Sequence, residues 1–285
     1  MADEQPIIRL EGVWKSFDGT EVLKDVTLRI PTGQTTVIIG PSGCGKTVLI
    51  KHIVGLLQPD RGKVFFHDME VSALGERQLV KPRRRMGFLF QGSALFDSMT
   101  VEQNILFPLE EHGYGTAARR RERCREVLAM VGLDGMQGRF PEGLSGGQKK
   151  RVALARAIAL DPEVILYDEP TTGLDPIRAD LINELIIRLH RSLGTTAVVV
   201  THDLVSARRV GHRIVMLHEG RLIADTTPEK LDDVQNEAFV RFVQGKASQE
   251  ELAELESGRL GQAGAPRGTA AAPSGPASRG KETLS

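Results

Sequence analysis

One eight-residue stretch constrains this chain more than any other. Gly40-Pro41-Ser42-Gly43-Cys44-Gly45-Lys46-Thr47 fits the pattern GxxxxGK[ST]. It follows a β-branched run, Thr36–Ile39, and opens a segment of helical spacing, Val48–Leu57. In a strand–loop–helix setting, backbone N–H groups of the glycine turn and of the helix N-terminus converge on an anion. Lys46 adds charge toward the β- and γ-phosphates, and the Thr47 hydroxyl suits Mg²⁺. Cys44 sits where nothing is asked of its side chain, so it contributes loop backbone and no chemistry. The loop predicts a nucleotide phosphate site.

The rest of the pattern agrees with an α/β fold. Runs rich in β-branched residues predict strands at Val26–Ile30, Thr36–Ile39, Val164–Tyr167, Ala197–Val200 and Ile214–Leu217. Helical spacing predicts helices over Val48–Leu57, Thr116–Val131, Gly147–Leu160 and Arg178–Leu193, with Pro176 just before the last. Strands alternating with helices argue for a mostly parallel sheet that binds its ligand at the strands' carboxyl ends. The mainly helical stretch from about 92 to 160 interrupts this alternation and reads as an inserted subdomain.

Composition sets the outer limits. After Val243 there is no further Ile, Val, Met or aromatic residue, and small residues and Pro dominate 261–285. The expectation is a folded domain over 1–245 and a disordered tail over 246–285, with a short helix around Glu250–Glu256. Lys plus Arg and Asp plus Glu both number 37, which removes the global basic field of a nucleic-acid binder. The basic clusters Lys81–Arg85 and Arg119–Arg125 therefore read as solvated faces. Two cysteines make no disulfide framework, the N-terminus lacks a secretory pattern, and no apolar run is long enough to cross a bilayer. A soluble cytosolic protein is expected.

Two further stretches carry chemistry. Val164-Ile165-Leu166-Tyr167 is an apolar strand that ends in Asp168-Glu169. Beside a phosphate loop, Asp168 suits the Mg²⁺ shell, and Glu169 can reach the attacking water as general base. Leu144-Ser145-Gly146-Gly147-Gln148 precedes a helix and allows two readings. It is either a second anion-binding helix terminus or an ordinary cap, Ser145 being a good capping residue.

The order of these motifs resembles the nucleotide-binding subunit of ATP-binding cassette (ABC) transporters over roughly residues 7–245. The resemblance implies the P-loop ATPase fold of that family, including an antiparallel β region near the N-terminus. It makes Gly40–Thr47 the Walker A loop, Val164–Glu169 the Walker B strand and Leu144–Gln148 the signature motif. Gln91 falls at the Q-loop glutamine, which approaches Mg²⁺ and the water; Asp175 falls in the D-loop, and His202 at the switch histidine. Phe17 falls at the aromatic that stacks on adenine, where many members carry Tyr; a core position on a strand is its other reading. Gly143 departs from the family, in which Glu commonly precedes the signature.

The same resemblance implies ATP and Mg²⁺ bound between two copies of the chain. Ser145 and Gly147 of one copy would face the phosphates held by Lys46 of the other, and one Walker A with one signature per chain agrees with that. It also implies a multi-span permease and a place on the cytoplasmic face of a bacterial inner membrane. Phe90–Val101, Asn104–His112 and Tyr167–Ile177 are similar to the ATPases of MCE-type phospholipid transporters, the Mla and Mkl group, whose partners include an MCE-domain protein. Apolar surroundings of the Q-loop also occur in importers of small solutes. Phe239–Gly245 resembles a segment that contacts a neighbouring subunit in that group, or else is a helix end packed on its own domain. Cassette ATPases that act on DNA carry coiled coils or zinc insertions, and those that act on ribosomes carry two cassettes in one chain. Here Ser145 lies 99 positions after Lys46, without a CxxC pair, and the chain holds one cassette. No nucleic-acid partner is expected.

Overall fold

Asp18-Gly19, both at positive φ (48° and 78°), make the tight turn that pairs β1 (Ile8–Phe17) with β2 (Thr20–Ile30) as an antiparallel hairpin. The computed structural model describes residues 6–247 together with Leu252 and Ala253, so the tail expected over 246–285 lies almost wholly outside the described residues. After the hairpin, β3 (Thr35–Ile39) runs into the glycine loop and α1 (Lys46–Ile53). Next, β4 (Arg61–Phe66) and β5 (Met69–Glu70) complete a four-stranded sheet of order β2-β1-β4-β5, antiparallel throughout.

The chain then passes through α2 (Glu76–Arg84) to β6 (Met86–Leu89) and on through α3 (Val101–Glu111), α4 (Ala117–Met130) and α5 (Gly146–Ala157). The last part holds β7 (Val164–Asp168), α6 (Pro176–Leu193), β8 (Thr196–Thr201), α7 (Leu204–Val210), β9 (Arg213–His218), β10 (Arg221–Thr226) and α8 (Glu237–Gln244). Strands β3, β6, β7, β8 and β9 are parallel, and β10 adds an antiparallel edge, in the order β10-β9-β3-β8-β7-β6. The architecture is the expected α/β one, with a mostly parallel sheet beside an antiparallel one. Every strand and helix read from the sequence before residue 246 is present, with ends shifted by up to six residues, and the short helix expected around Glu250–Glu256 lies outside the described residues apart from Leu252 and Ala253.

Side chains alternate across the parallel sheet and fill a core on each face. Val37, Ile39, Ile165, Tyr167, Ala197 and Val199 belong to the core that α3 to α8 cover. Their neighbours Ile38, Val164, Leu166, Val198 and Val200 belong to the core shared with α1 and the antiparallel sheet. Burial on both faces explains why these strands read as continuous apolar runs. Phe239 on α8 is buried in the first core, with Phe242 and Val243 packed against it, so this helix end packs on its own domain.

The two basic clusters are not uniformly solvated. Arg123 is buried, donating to the carbonyls of Ile158 and Ala159 and pairing with Asp161 and Glu126. Arg83 caps α1 from outside through the carbonyls of Val54 and Gly55, and Arg85 pairs with Glu163. Arg83 and Arg123 thus serve chain carbonyls at helix ends, whose last C=O groups otherwise lack partners. Lys81 and Arg84 are exposed as expected.

Candidate functional site

Parallel pairing sets the site. Ile39 at the end of β3 pairs with Thr201 at the end of β8, and Val200 pairs with Asp168 at the end of β7. The residues that follow, Gly40, His202 and Glu169, therefore emerge along one edge of the sheet, at the carboxyl ends of three adjacent strands.

The glycine loop wraps its own backbone. Gly40, Gly43 and Gly45 have φ of 153°, 81° and 105°. A Cβ on Gly40 would lie 2.1 Å from the carbonyl oxygen of Leu217, whereas one on Gly43 would meet nothing within 4 Å. The loop is packed against β9 on one side and open on the other. α1 starts at Lys46 with no side-chain cap on its N-terminal amides, which leaves them available to an anion. Burial raises the Cys44 thiol above its ordinary pKa, which keeps it protonated and inert.

Lys46 is buried. Its ammonium donates to the carbonyls of Gly40 and Pro41 at 2.7 and 2.9 Å and stands 3.7 Å from Glu169 Oε1. Glu169 Oε2 lies 2.9 Å from His202 Nδ1 and accepts from the Thr172 hydroxyl at 3.0 Å. Glu169 is only 7% exposed, and its φ of 48° is a left-handed value that a glutamate rarely adopts. The Thr47 hydroxyl donates to Asp168 Oδ1 at 2.9 Å. Burial raises the pKa of Asp168, and the Thr47 hydrogen bond opposes that shift. A loop open on one side, a buried ammonium and uncapped helix amides fit a polyphosphate. Thr47 and Asp168 offer two hard oxygens side by side, as Mg²⁺ requires when phosphate and water complete its shell. Among the described residues no group of three or more His, Cys, Asp or Glu could hold a metal by itself.

The other expected site residues stand apart from this constellation. Ser145 caps α5: its hydroxyl accepts from Gln148 N, and Gln148 Oε1 accepts from Ser145 N at 2.9 Å. Asp175 caps α6 by accepting from Arg178 N. Gly146 and Gly147 form the first turn of α5. No hydrogen bond among the described residues joins Ser145–Gln148 or Asp175 to the glycine loop. Gln91 lies two residues beyond β6 and is exposed; its carbonyl, not its amide, is held, by Lys150 Nζ. Phe17 closes β1 at 41% exposure with Lys15 Nζ 5.5 Å from its ring centre, which excludes the core reading. Sequence reasoning missed Lys150, a buried lysine that also donates to the Glu169 carbonyl at 3.2 Å.

The comparisons decide the family. A family model described as ABC transporter matches residues 23–172, a span that includes the glycine loop, the Ser145 turn and the β7 carboxylates. The chain belongs to the ABC transporter family. This ABC ATPase is 38% identical over 239 residues to the "probable ribonucleotide transport ATP-binding protein mkl" of Mycobacterium tuberculosis, covering 84% of the chain and 67% of the relative. It is 40% identical over 230 residues to the "intermembrane phospholipid transport system ATP-binding protein MlaF" of Haemophilus influenzae, covering 80% and 87%. Sulfate/thiosulfate import ATP-binding proteins match at 39% and 41%. Among solved structures it resembles the dimeric cassette MJ0796 in a post-hydrolysis state bound to ADP and Pi, with TM-score 0.73, 36% identity and coverage of 78% and 98%. This ABC ATPase is thus an ATP-binding, ATP-hydrolysing subunit of a transporter.

Proposed function

We propose that the chain is the motor of a phospholipid transporter, working as a homodimer with two shared ATP sites on the cytoplasmic face of a bacterial inner membrane. Supporting the lipid reading is the 40% identity to MlaF over 87% of that protein's length. A groove of about 350 Å³ supports the docking of a permease, whatever its substrate. Phe90, Ala94, Phe96, Phe107, His112 and Arg156 contribute to its lining, with the rings of Phe96 and Phe107 4.9 Å apart at their centres. Such a groove suits an apolar helix of a multi-span permease, which an MCE-domain protein would complete on the far side. No helix among the described residues is long and apolar enough to cross a membrane, so transport needs such a partner.

Each half of the ATP site has its parts on one chain. The glycine loop and Lys46 hold the β- and γ-phosphates, Thr47, Asp168 and Gln91 accompany Mg²⁺, and Phe17 stacks on adenine. Mg²⁺ bound there supplies positive charge to the phosphate oxygens. Glu169 Oε1 or Oε2 takes a proton from water as the water oxygen bonds to the γ-phosphorus and the bond to ADP breaks. His202 orients that carboxylate.

The second copy supplies Ser145, Gly146, Gly147 and Gln148. The Ser145 hydroxyl accepts within its cap and keeps its own proton to donate to a phosphate. Ile177, Leu181 and Val205, 77%, 62% and 76% exposed, supply apolar surface for the closed dimer.

Affinity capture of the full-length Glu169→Gln chain with ATP from detergent-solubilised membranes tests the substrate class. A permease with an MCE-domain protein and bound phospholipid is the expected result. A permease with a small-solute binding protein overturns the lipid reading, and DNA-stimulated hydrolysis without a membrane partner overturns transport.

A further inference from the structure

A buried ammonium stands where three parts of the site meet. Lys150 lies on α5, the helix that Ser145 caps, and is 5% exposed. Its Nζ donates to the carbonyl of Glu169 at 3.2 Å and to that of Gln91 at 3.4 Å. No salt bridge involves it among the described residues. Burial lowers its pKa, while the charges of Glu169 and Asp168 act in the opposite direction. Desolvating an ammonium is unfavourable, and an apolar side chain of the same length would fill the volume without that cost.

Arg123 shows what a buried cation with a purely architectural place looks like: it joins α4 to the end of α5 and pairs with two carboxylates. Lys150 differs in its acceptors. Both belong to residues just past β6 and β7, and both of those residues carry chemistry in the reading above.

We propose that Lys150 is a positioning residue that locks the backbones of Glu169 and Gln91 to the helix beginning at Ser145. Glu169 keeps its left-handed φ because it is held from both sides. Its amide donates to the Val200 carbonyl at 2.9 Å, and its carbonyl accepts from Lys150. Six residues along α5, Arg156 does the same for the next part of the loop, donating to the carbonyls of Ser93 and Ala94 at 3.2 and 2.8 Å. Those two residues also have positive φ, 64° and 46°, and Ala94 lines the apolar groove. One helix thus carries the Ser145 turn at its start and grips, with two cations, both the groove loop and the backbone of the general base.

This inference rests on the reading of Glu169 as the base, and the test separates the two. Steady-state ATP hydrolysis is measured for the full-length chain and for Lys150→Met, Lys150→Arg and Glu169→Gln. Methionine keeps the length and apolar stem of lysine and has no N–H. Displacing a reacting group by a fraction of an ångström to an ångström costs about tenfold to a hundredfold in rate. The expected result for Lys150→Met is a fall of that size in kcat, with KM for ATP within about twofold. Lys150→Arg, whose guanidinium can reach both carbonyls, recovers most of the rate. An unchanged kcat in Lys150→Met overturns the proposal. So does an equal loss in Lys150→Met and Lys150→Arg, tracking a fall in Tm. Full activity in Glu169→Gln instead removes Glu169 as the base, whatever Lys150 does.

Discussion

Replacing His202 by alanine tests whether the Glu169 carboxylate works as half of a pair. His202 Nδ1 stands 2.9 Å from Glu169 Oε2, which has the Thr172 hydroxyl as its other partner at 3.0 Å. A hydrogen bond to a charged group contributes about 1.5–3 kcal/mol. Here the carboxylate is enclosed but the imidazole is 49% exposed, so solvent screening reduces the pair to about 1–2 kcal/mol. At 1.4 kcal/mol per factor of ten, His202→Ala lowers kcat by about 5- to 30-fold through lost orientation of the base. Removing the base is a larger change, because general-base catalysis contributes about 10²- to 10⁴-fold. The double variant His202→Ala/Glu169→Gln should then be no slower than Glu169→Gln alone, within about threefold, since no carboxylate is left to orient. Phosphate release measured across ATP concentrations gives the three rates. Additive losses in the double variant, or a His202→Ala defect confined to KM, would refute the pairing.

Other consequences follow from packing and charge. Gly40→Ala places a methyl group 2.1 Å from the Leu217 carbonyl oxygen. Separating β3 from β9 there should cost about 1–3 kcal/mol, a fall in Tm of about 2–10 °C by calorimetry, together with weakened ATP binding. Phe239→Ala empties a fully enclosed site under α8 and should destabilise the chain by about 3–5 kcal/mol in urea unfolding, with nucleotide affinity retained. His52 is buried on α1, donates from Nδ1 to the Val48 carbonyl at 2.7 Å and has no hydrogen bond at Nε2 among the described residues. Burial lowers its pKa below 6.5, with Lys15 pushing further down and Asp60 opposing. The unfolded chain therefore binds a proton in a range where the folded one does not, so stability falls as pH drops below about 6.5. His52→Gln should flatten the Tm profile between pH 7 and that lowered pKa; an unchanged slope would remove His52 as its cause.

How much of this was legible in the sequence depended on the range of each interaction. The glycine loop, the strand ending in Asp168-Glu169 and the Ser145 turn are local, and backbone requirements specify their residues one by one. The parallel strands announced themselves because burial on both faces leaves no polar alternation. Lys150 was not legible. It follows a turn motif in a run of Lys, Lys and Arg, and nothing local distinguishes it from its half-buried neighbours Lys149 and Arg151. Its place depends on β6 and β7 pairing, which brings Gln91 and Glu169 together although they lie 78 positions apart in the chain. Arg123 escaped for the same reason, since its acceptors belong to the far end of α5. Ser145 carried two readings, and the structure establishes the cap while leaving the hydroxyl proton free to donate.

The central claim is that one chain holds the phosphates and a second copy completes the site. Light scattering of the purified Glu169→Gln chain, with and without ATP and Mg²⁺, tests it most directly. The account predicts a monomer without nucleotide and a stable dimer at saturating ATP, abolished by a further Ser145→Arg substitution at the signature turn. A chain that binds ATP at saturation and stays monomeric would contradict it.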